Sequence, residues 1–159
     1  MLYEVIFCGV EGVQHVRRSD DTVVISILDR SQAASRPELL GFGEALILEF
    51  EDISESNDEV KAGRFWSDQI SGAEHGIYCG HHGEQVSTID DAHQIVDFLH
   101  RHHKSPYPVP LLVHCFAGVS RSAAVAHWAA RRFRIPIMCD RSTNYANPRL
   151  MRLLDKAGG

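Results

Sequence analysis

LLVHCFAGVSRSAAVAHWAA, residues 111–130, carries a strand end, a turn and the start of a helix in immediate succession. The apolar run VPLLVH (109–114) reads as a strand. It ends at His114-Cys115, and a turn containing Gly118 follows. An Ala-rich run from 120 to 133, with Trp128 and Phe133, then reads as a buried helix closed by Pro136. In parallel α/β sheets, ligands bind beyond the C-terminal ends of the strands. A helix N-terminus there adds unpaired N–H groups and a partial positive charge, so it favours an anion. Arg121, six residues after Cys115, supplies a planar fork that matches two phosphate oxygens. An ordinary thiol is only a few per cent ionised at neutral pH. Beside these donors the thiolate of Cys115 is favoured, which predicts a nucleophile in a cup shaped for a phosphate dianion.

The flanking sequence supplies the rest of a sheet. Residues 2–7 read as a first strand and TVVISIL (22–28), nearly continuous and β-branched, as a strand covered on both faces. ALILEF (45–50) reads as another. Ala92, Ile95, Val96 and Leu99 recur at the spacing of an apolar helical stripe. Ser87-Thr-Ile-Asp90 resembles a capping box before it, and His100, Arg101, His102 and His103 sit where a helix C-terminus favours cations. Asn147-Pro148 offers an N-cap and N1 pair for a last helix with Leu150, Leu153 and Leu154 on one side and Gly158 as its stop. Strands interleaved with helices predict an α/β sandwich, a mostly parallel central sheet flanked by helices, in one domain over residues 1–159. Residues 61–86 fit neither period and read as an insertion or functional flap.

Composition narrows the function classes. The apolar share of 44% in 159 residues is enough for a core without disulfides or metals. No window approaches about 18 uncharged apolar residues, and the N-terminal run contains Glu4, so neither a membrane span nor a secretory signal is expected. A net charge of −5 argues against nucleic acid as partner. Cys8, Cys79, Cys115 and Cys139 form no C-x-x-C pair and read as reduced cytosolic thiols, which points to a cytoplasmic protein. Cys79-Gly-His81-His82 has no second ligand cluster at structural-zinc spacing and reads as a solvated loop, so no metal and no cofactor is expected.

His114-Cys115-Phe116-Ala117-Gly118-Val119-Ser120-Arg121-Ser122 resembles the H-C-x5-R-[ST] motif of the cysteine-dependent protein tyrosine phosphatase superfamily, with the A-G-x-S-R-S wording of its dual-specificity branch. The order VISILD, LILEFEDI, motif, then NPRL near the end is similar to small bacterial members. The resemblance implies a phosphatase-type sandwich and hydrolysis of phosphate monoesters, on a phosphorylated protein or a small phosphate ester, through a cysteinyl-phosphate. It makes Cys115 the nucleophile and Arg121 the phosphate clamp. The backbone N–H groups of Phe116, Ala117, Gly118, Val119 and Ser120 would hold the phosphate. Ser122 would assist breakdown of the intermediate, and His114 would help set the thiolate through a hydrogen bond. The loop lacks the lysine that relatives acting on phosphoinositides or RNA 5′ ends tend to carry. The chain also has no K-N-R-Y-like element, so a shallow cleft accepting several phosphoresidues is expected.

The expelled oxygen needs a proton, and a carboxylic acid is the expected donor. Asp52, at the end of LILEFEDI, takes the position the resemblance implies. Its separation from Cys115, 63 residues, is long, and the 61–86 stretch accounts for the excess. Asp68 in that stretch is the rival, whereas Asp90 and Asp91 read as helix caps. Two other classes stay open at this point: a phospho-residue binding module without turnover, and sulfur transfer of the rhodanese kind.

Overall fold

The computed structural model describes residues 1–53 and 86–159. Of the expected insertion at 61–86, only Val86 falls within them, fully buried; Asp68 and Cys79-Gly-His81-His82 lie outside.

Four strands form one sheet: β1 (Leu2–Cys8), β2 (Val23–Leu28), β3 (Ala45–Glu49) and β4 (Val109–His114). Their order is β1-β4-β2-β3 and every neighbouring pair is parallel. The α/β class with a parallel central sheet is therefore observed. All six residues of β2 are buried, as a β-branched run enclosed on both faces requires. β4 is an interior strand between β1 and β2, where the chain order reverses, and such a switch point opens a crevice beyond the strand ends.

Three α-helices cover one face: α1 (Ile89–His103), α2 (Arg121–Phe133) and α3 (Pro148–Gly158). Val5, Phe7, Ile25, Ile27, Leu111 and Val113 point into this layer and meet Ile95, Leu99, Trp128 and Leu153. α3 has only 11 residues, and an isolated helix of that length is marginal. Leu150, Leu153 and Leu154, fully buried and each worth about 1.5–3 kcal/mol relative to exposure, hold it in place.

The opposite face is flanked by shorter helices. There Val24 and Leu112 are covered by two 3₁₀ segments, Val10–His15 and Arg30–Ser35, and by Phe42.

Two helix boundaries depart from the sequence expectation. The capping box lies one residue later, with Thr88 as N-cap accepting from the Asp91 amide and Asp91 accepting from the Thr88 amide. Arg149 selects that register, donating Nε and Nη2 to the Ser87 carbonyl at 3.0 and 2.9 Å and so holding Ser87 outside the helix. α2 ends at Phe133 as its Ala-rich run implies, because Arg134 takes a left-handed conformation (φ 56°) and its N–H caps the carbonyl of Ala130. α3 includes Gly158, the expected stop, and its C-cap is Gly159 (φ 72°); a Cβ on Gly158 would stand 2.4 Å from the Trp128 ring. The Asn147 cap and Pro148 are as expected, with Asn147 Oδ1 accepting from the Leu150 amide at 2.9 Å.

Candidate active site

The end of β4 delivers Cys115 to the floor of a loop, 2% exposed. Strand alternation sends Leu111, Val113 and Cys115 to the helix-covered face and Leu112 and His114 to the other. The loop 115–120 then closes over the start of α2. Cys115 Sγ accepts from the Gly118 N–H at 3.2 Å and lies 3.2 Å from Ser122 Oγ.

The loop's carbonyls are engaged away from the thiol. The Val10 amide donates to the Phe116 carbonyl at 3.0 Å, and Arg141 Nη1 donates to those of Ala117 and Gly118 at 3.4 and 3.1 Å. In a trans peptide the N–H points opposite to the carbonyl of the same unit. Fixing those three carbonyls outward therefore turns the N–H groups of Ala117, Gly118 and Val119 inward, which for Gly118 is the bond to Sγ. Gly118 makes this possible with φ +70°, and a Cβ there would stand 2.1 Å from Gly9 N. Phe116 and Val119, 43% and 40% exposed, form an apolar rim.

Arg121, at the first position of α2, is 3% exposed. Its Nη1 donates to the Phe50 carbonyl at 2.6 Å and pairs with Asp29 at the end of β2. Its Nε is buried and has no partner among the described residues. A buried guanidinium nitrogen without a protein partner can take an anionic oxygen.

Asp52 lies exposed beyond β3, beside the loop. Its Oδ1 accepts from Ser120 Oγ at 2.7 Å and from Asn147 Nδ2 at 2.9 Å. Ser120 is the N-cap of α2, yet its hydroxyl makes no cap bond because it is turned to Asp52. The structure thus gathers Cys115, Arg121, Ser122, Ser120 and Asp52 at one strand end.

His114 lies beside Cys115 in the chain and meets it through the Cys115 backbone rather than the sulfur. It pairs across the sheet with Cys8 and Ser26, on the face opposite the Cys115 side chain. Burial pushes its imidazole down to about 4; the Arg36 guanidinium adds to this and contact with the Cys115 backbone opposes it. The ring is neutral at pH 7, and its contact with Cys115 is to the backbone. Cys8 is a contrasting thiol: burial, with smaller additions from Cys115 and Cys139 against the opposing Arg141, pushes it up to about 11 and keeps it protonated.

Asp29, Asn147 and Arg141 were not legible as site residues. The only sequence signal was the position of Asp29 at the C-terminal end of a parallel strand; Asn147 read only as a cap, and nothing marked Arg141. Among the described residues no group of three His, Cys, Asp or Glu side chains could hold a metal, and no helix is long and apolar enough to cross a membrane. A groove of about 670 Å³ lined by Tyr3, Arg17, Asp21 and Pro110 lies at the other end of the strands, away from Cys115.

Comparison with protein-family models finds no match, and comparison with curated proteins finds none. Among solved structures, the chain is similar to the human tyrosine phosphatase-like serine/threonine/tyrosine-interacting protein. The TM-score is 0.39 and the identity 16%, over 92% of this chain and 79% of that one. The fold described above rests on the strand order and register themselves.

Proposed function

We propose that the chain is a cysteine-dependent phosphatase of the protein tyrosine phosphatase superfamily, in its dual-specificity-like branch. Its substrates would be phosphate monoesters: phosphotyrosine and, given the exposed rim of Phe116 and Val119, phosphoserine or phosphothreonine of proteins. The carrying observation is the cup itself, with Cys115 Sγ under the Gly118 N–H and Ser122 Oγ, together with a buried Arg121 Nε that has no partner among the described residues.

In the proposed reaction Sγ attacks phosphorus in line, the P–O bond to the leaving group breaks, and Asp52 protonates the departing oxygen. The inward N–H groups and Arg121 stabilise charge on the three equatorial oxygens. Asp52, now a carboxylate, takes a proton from the water that attacks the cysteinyl-phosphate. The S–P bond breaks, Ser122 Oγ hydrogen-bonds the returning thiolate, and inorganic phosphate leaves. No step uses a metal.

Turnover of an aryl phosphate should therefore persist in EDTA, with one phosphate released per ester cleaved. Saturable binding without phosphate release would instead make the chain a phospho-residue binding module, and activity on thiosulfate would make it a sulfurtransferase.

Asp52 has its own test. A general acid matters most for a poor leaving group. Asp52→Asn should cost about 100-fold or more on a tyrosyl or alkyl phosphate, within the usual acid–base contribution. The loss should be much smaller on an activated aryl phosphate, and the alkaline limb of the pH–rate profile should flatten. Asp68→Asn should do neither; the reverse pattern would move the acid to the 61–86 segment.

A further inference from the structure

Asn147 joins the acid, the phosphate loop and the last helix through one side chain. It is 3% exposed, and its amide orientation is set locally: Oδ1 accepts from the Leu150 N–H at 2.9 Å as the N-cap of α3. The other end of the amide must then be the donor. Its two protons go to Asp52 Oδ1 at 2.9 Å and the Ile53 carbonyl at 3.1 Å. The backbone N–H of Asn147 donates to the Ser120 carbonyl at 3.2 Å, and Ser120 Oγ donates to the same Asp52 oxygen. Asp52, Ser120 and Asn147 therefore close a ring of hydrogen bonds across three separate elements.

We infer that Asn147 is a positioning residue for Asp52: α3 fixes the Asn147 amide, and that amide fixes the acid-bearing loop against the phosphate loop. Two donors converge on Oδ1 and leave Oδ2 to exchange the proton with the leaving oxygen or with water. The inference rests on the proposed role of Asp52. Two of the three contacts hold Asp52 and Ile53 rather than α3, which a helix cap alone does not need. A displacement of about 1 Å in a catalytic group can cost 10²-fold in rate.

Asn147→Asp keeps a capping oxygen of the same size and removes the donor, and Asn147→Ser keeps the cap but falls short of Asp52; Asp and Ser cap about as well as Asn. Asn147→Ser should retain the melting temperature within a few degrees, whereas Asn147→Asp, which buries a carboxylate against Asp52 Oδ1 and the Ile53 carbonyl, should lower it. Both should lose about 10- to 100-fold in kcat on a tyrosyl or alkyl phosphate, and much less on an activated aryl phosphate, with KM little changed. In the Asp52→Asn background the same substitutions should cost almost nothing further, because residues acting as a unit are not additive. Equal losses on both esters, or losses that track melting temperature in both variants, would reduce Asn147 to a helix cap and overturn the inference. If Asp52→Asn shows the leaving-group split and neither Asn147 variant does, the inference alone fails. If Asp52→Asn itself shows no split, the reading of Asp52 fails and takes the inference with it.

Discussion

Cys115→Ser is expected to lower turnover by about 10⁴-fold or more while leaving the fold and phosphate binding intact. The Cys115 sulfur meets one N–H, one hydroxyl and the start of α2. Those donors can hold a thiolate, whose parent thiol ionises near 8.5, but cannot ionise a serine hydroxyl to a useful extent. The new Oγ would still lie beside Ser122 Oγ and the Gly118 N–H, so no buried polar atom is orphaned and the melting temperature should hold. Two measurements check this together: the steady-state rate, and acid-quenched labelling from a ³²P-phosphate ester. The wild type should trap label on the protein and the variant none. Retention of more than about a hundredth of the wild-type rate would remove Cys115 from the nucleophile's role.

Arg121→Lys should cost about 10³-fold in kcat/KM, the scale of losing a preorganised donor to the transition state. That is about 4 kcal/mol of lost stabilisation at about 1.36 kcal/mol per factor of ten. Lysine keeps the positive charge beside Asp29 and so avoids the roughly 3–5 kcal/mol penalty of stranding one partner of a buried ion pair. Stability should fall little, which separates catalytic loss from unfolding. What lysine lacks is the fork: one ammonium cannot hold Asp29, the Phe50 carbonyl and two phosphate oxygens at once. Near-normal kinetics for this variant would end the clamp assignment.

Where pattern within one element carries the information, the sequence reading and the structure agree. β4 spans Val109–His114 as its apolar run implies, and β2 is buried at every position because a β-branched run without polar alternation fits only a doubly covered strand. The start of α3 was readable from Asn-Pro, since one residue supplies the capping oxygen and the next lacks the N–H that would go unpaired. The capping box before α1 was off by one for an equally local reason. Ser87 and Thr88 both cap well and Asp90 and Asp91 both follow at suitable spacing, so the choice fell to Arg149, 62 residues away, on the Ser87 carbonyl.

The strand–turn–helix at 109–133, the thiol and guanidinium six residues apart, and the parallel α/β class were set by the sequence alone, because each depends on spacing along one short segment. The partners of that segment were not. Asp29 meets Arg121 across 92 residues, and Asn147 meets Asp52 across 95. Arg141 reaches the Gly118 carbonyl from 23 residues on. These meetings follow from the strand order β1-β4-β2-β3, which brings the ends of β2 and β3 to the same edge as the end of β4. Closing a longer loop costs only logarithmically more entropy, so sequence separation places almost no limit on which loops gather there. His114 shows the same division of labour. Its place next to Cys115 was plain in the sequence. Its orientation to the opposite face followed from strand alternation once the helices had taken the Cys115 side, and its neutrality came from the burial that only the packed sheet provides.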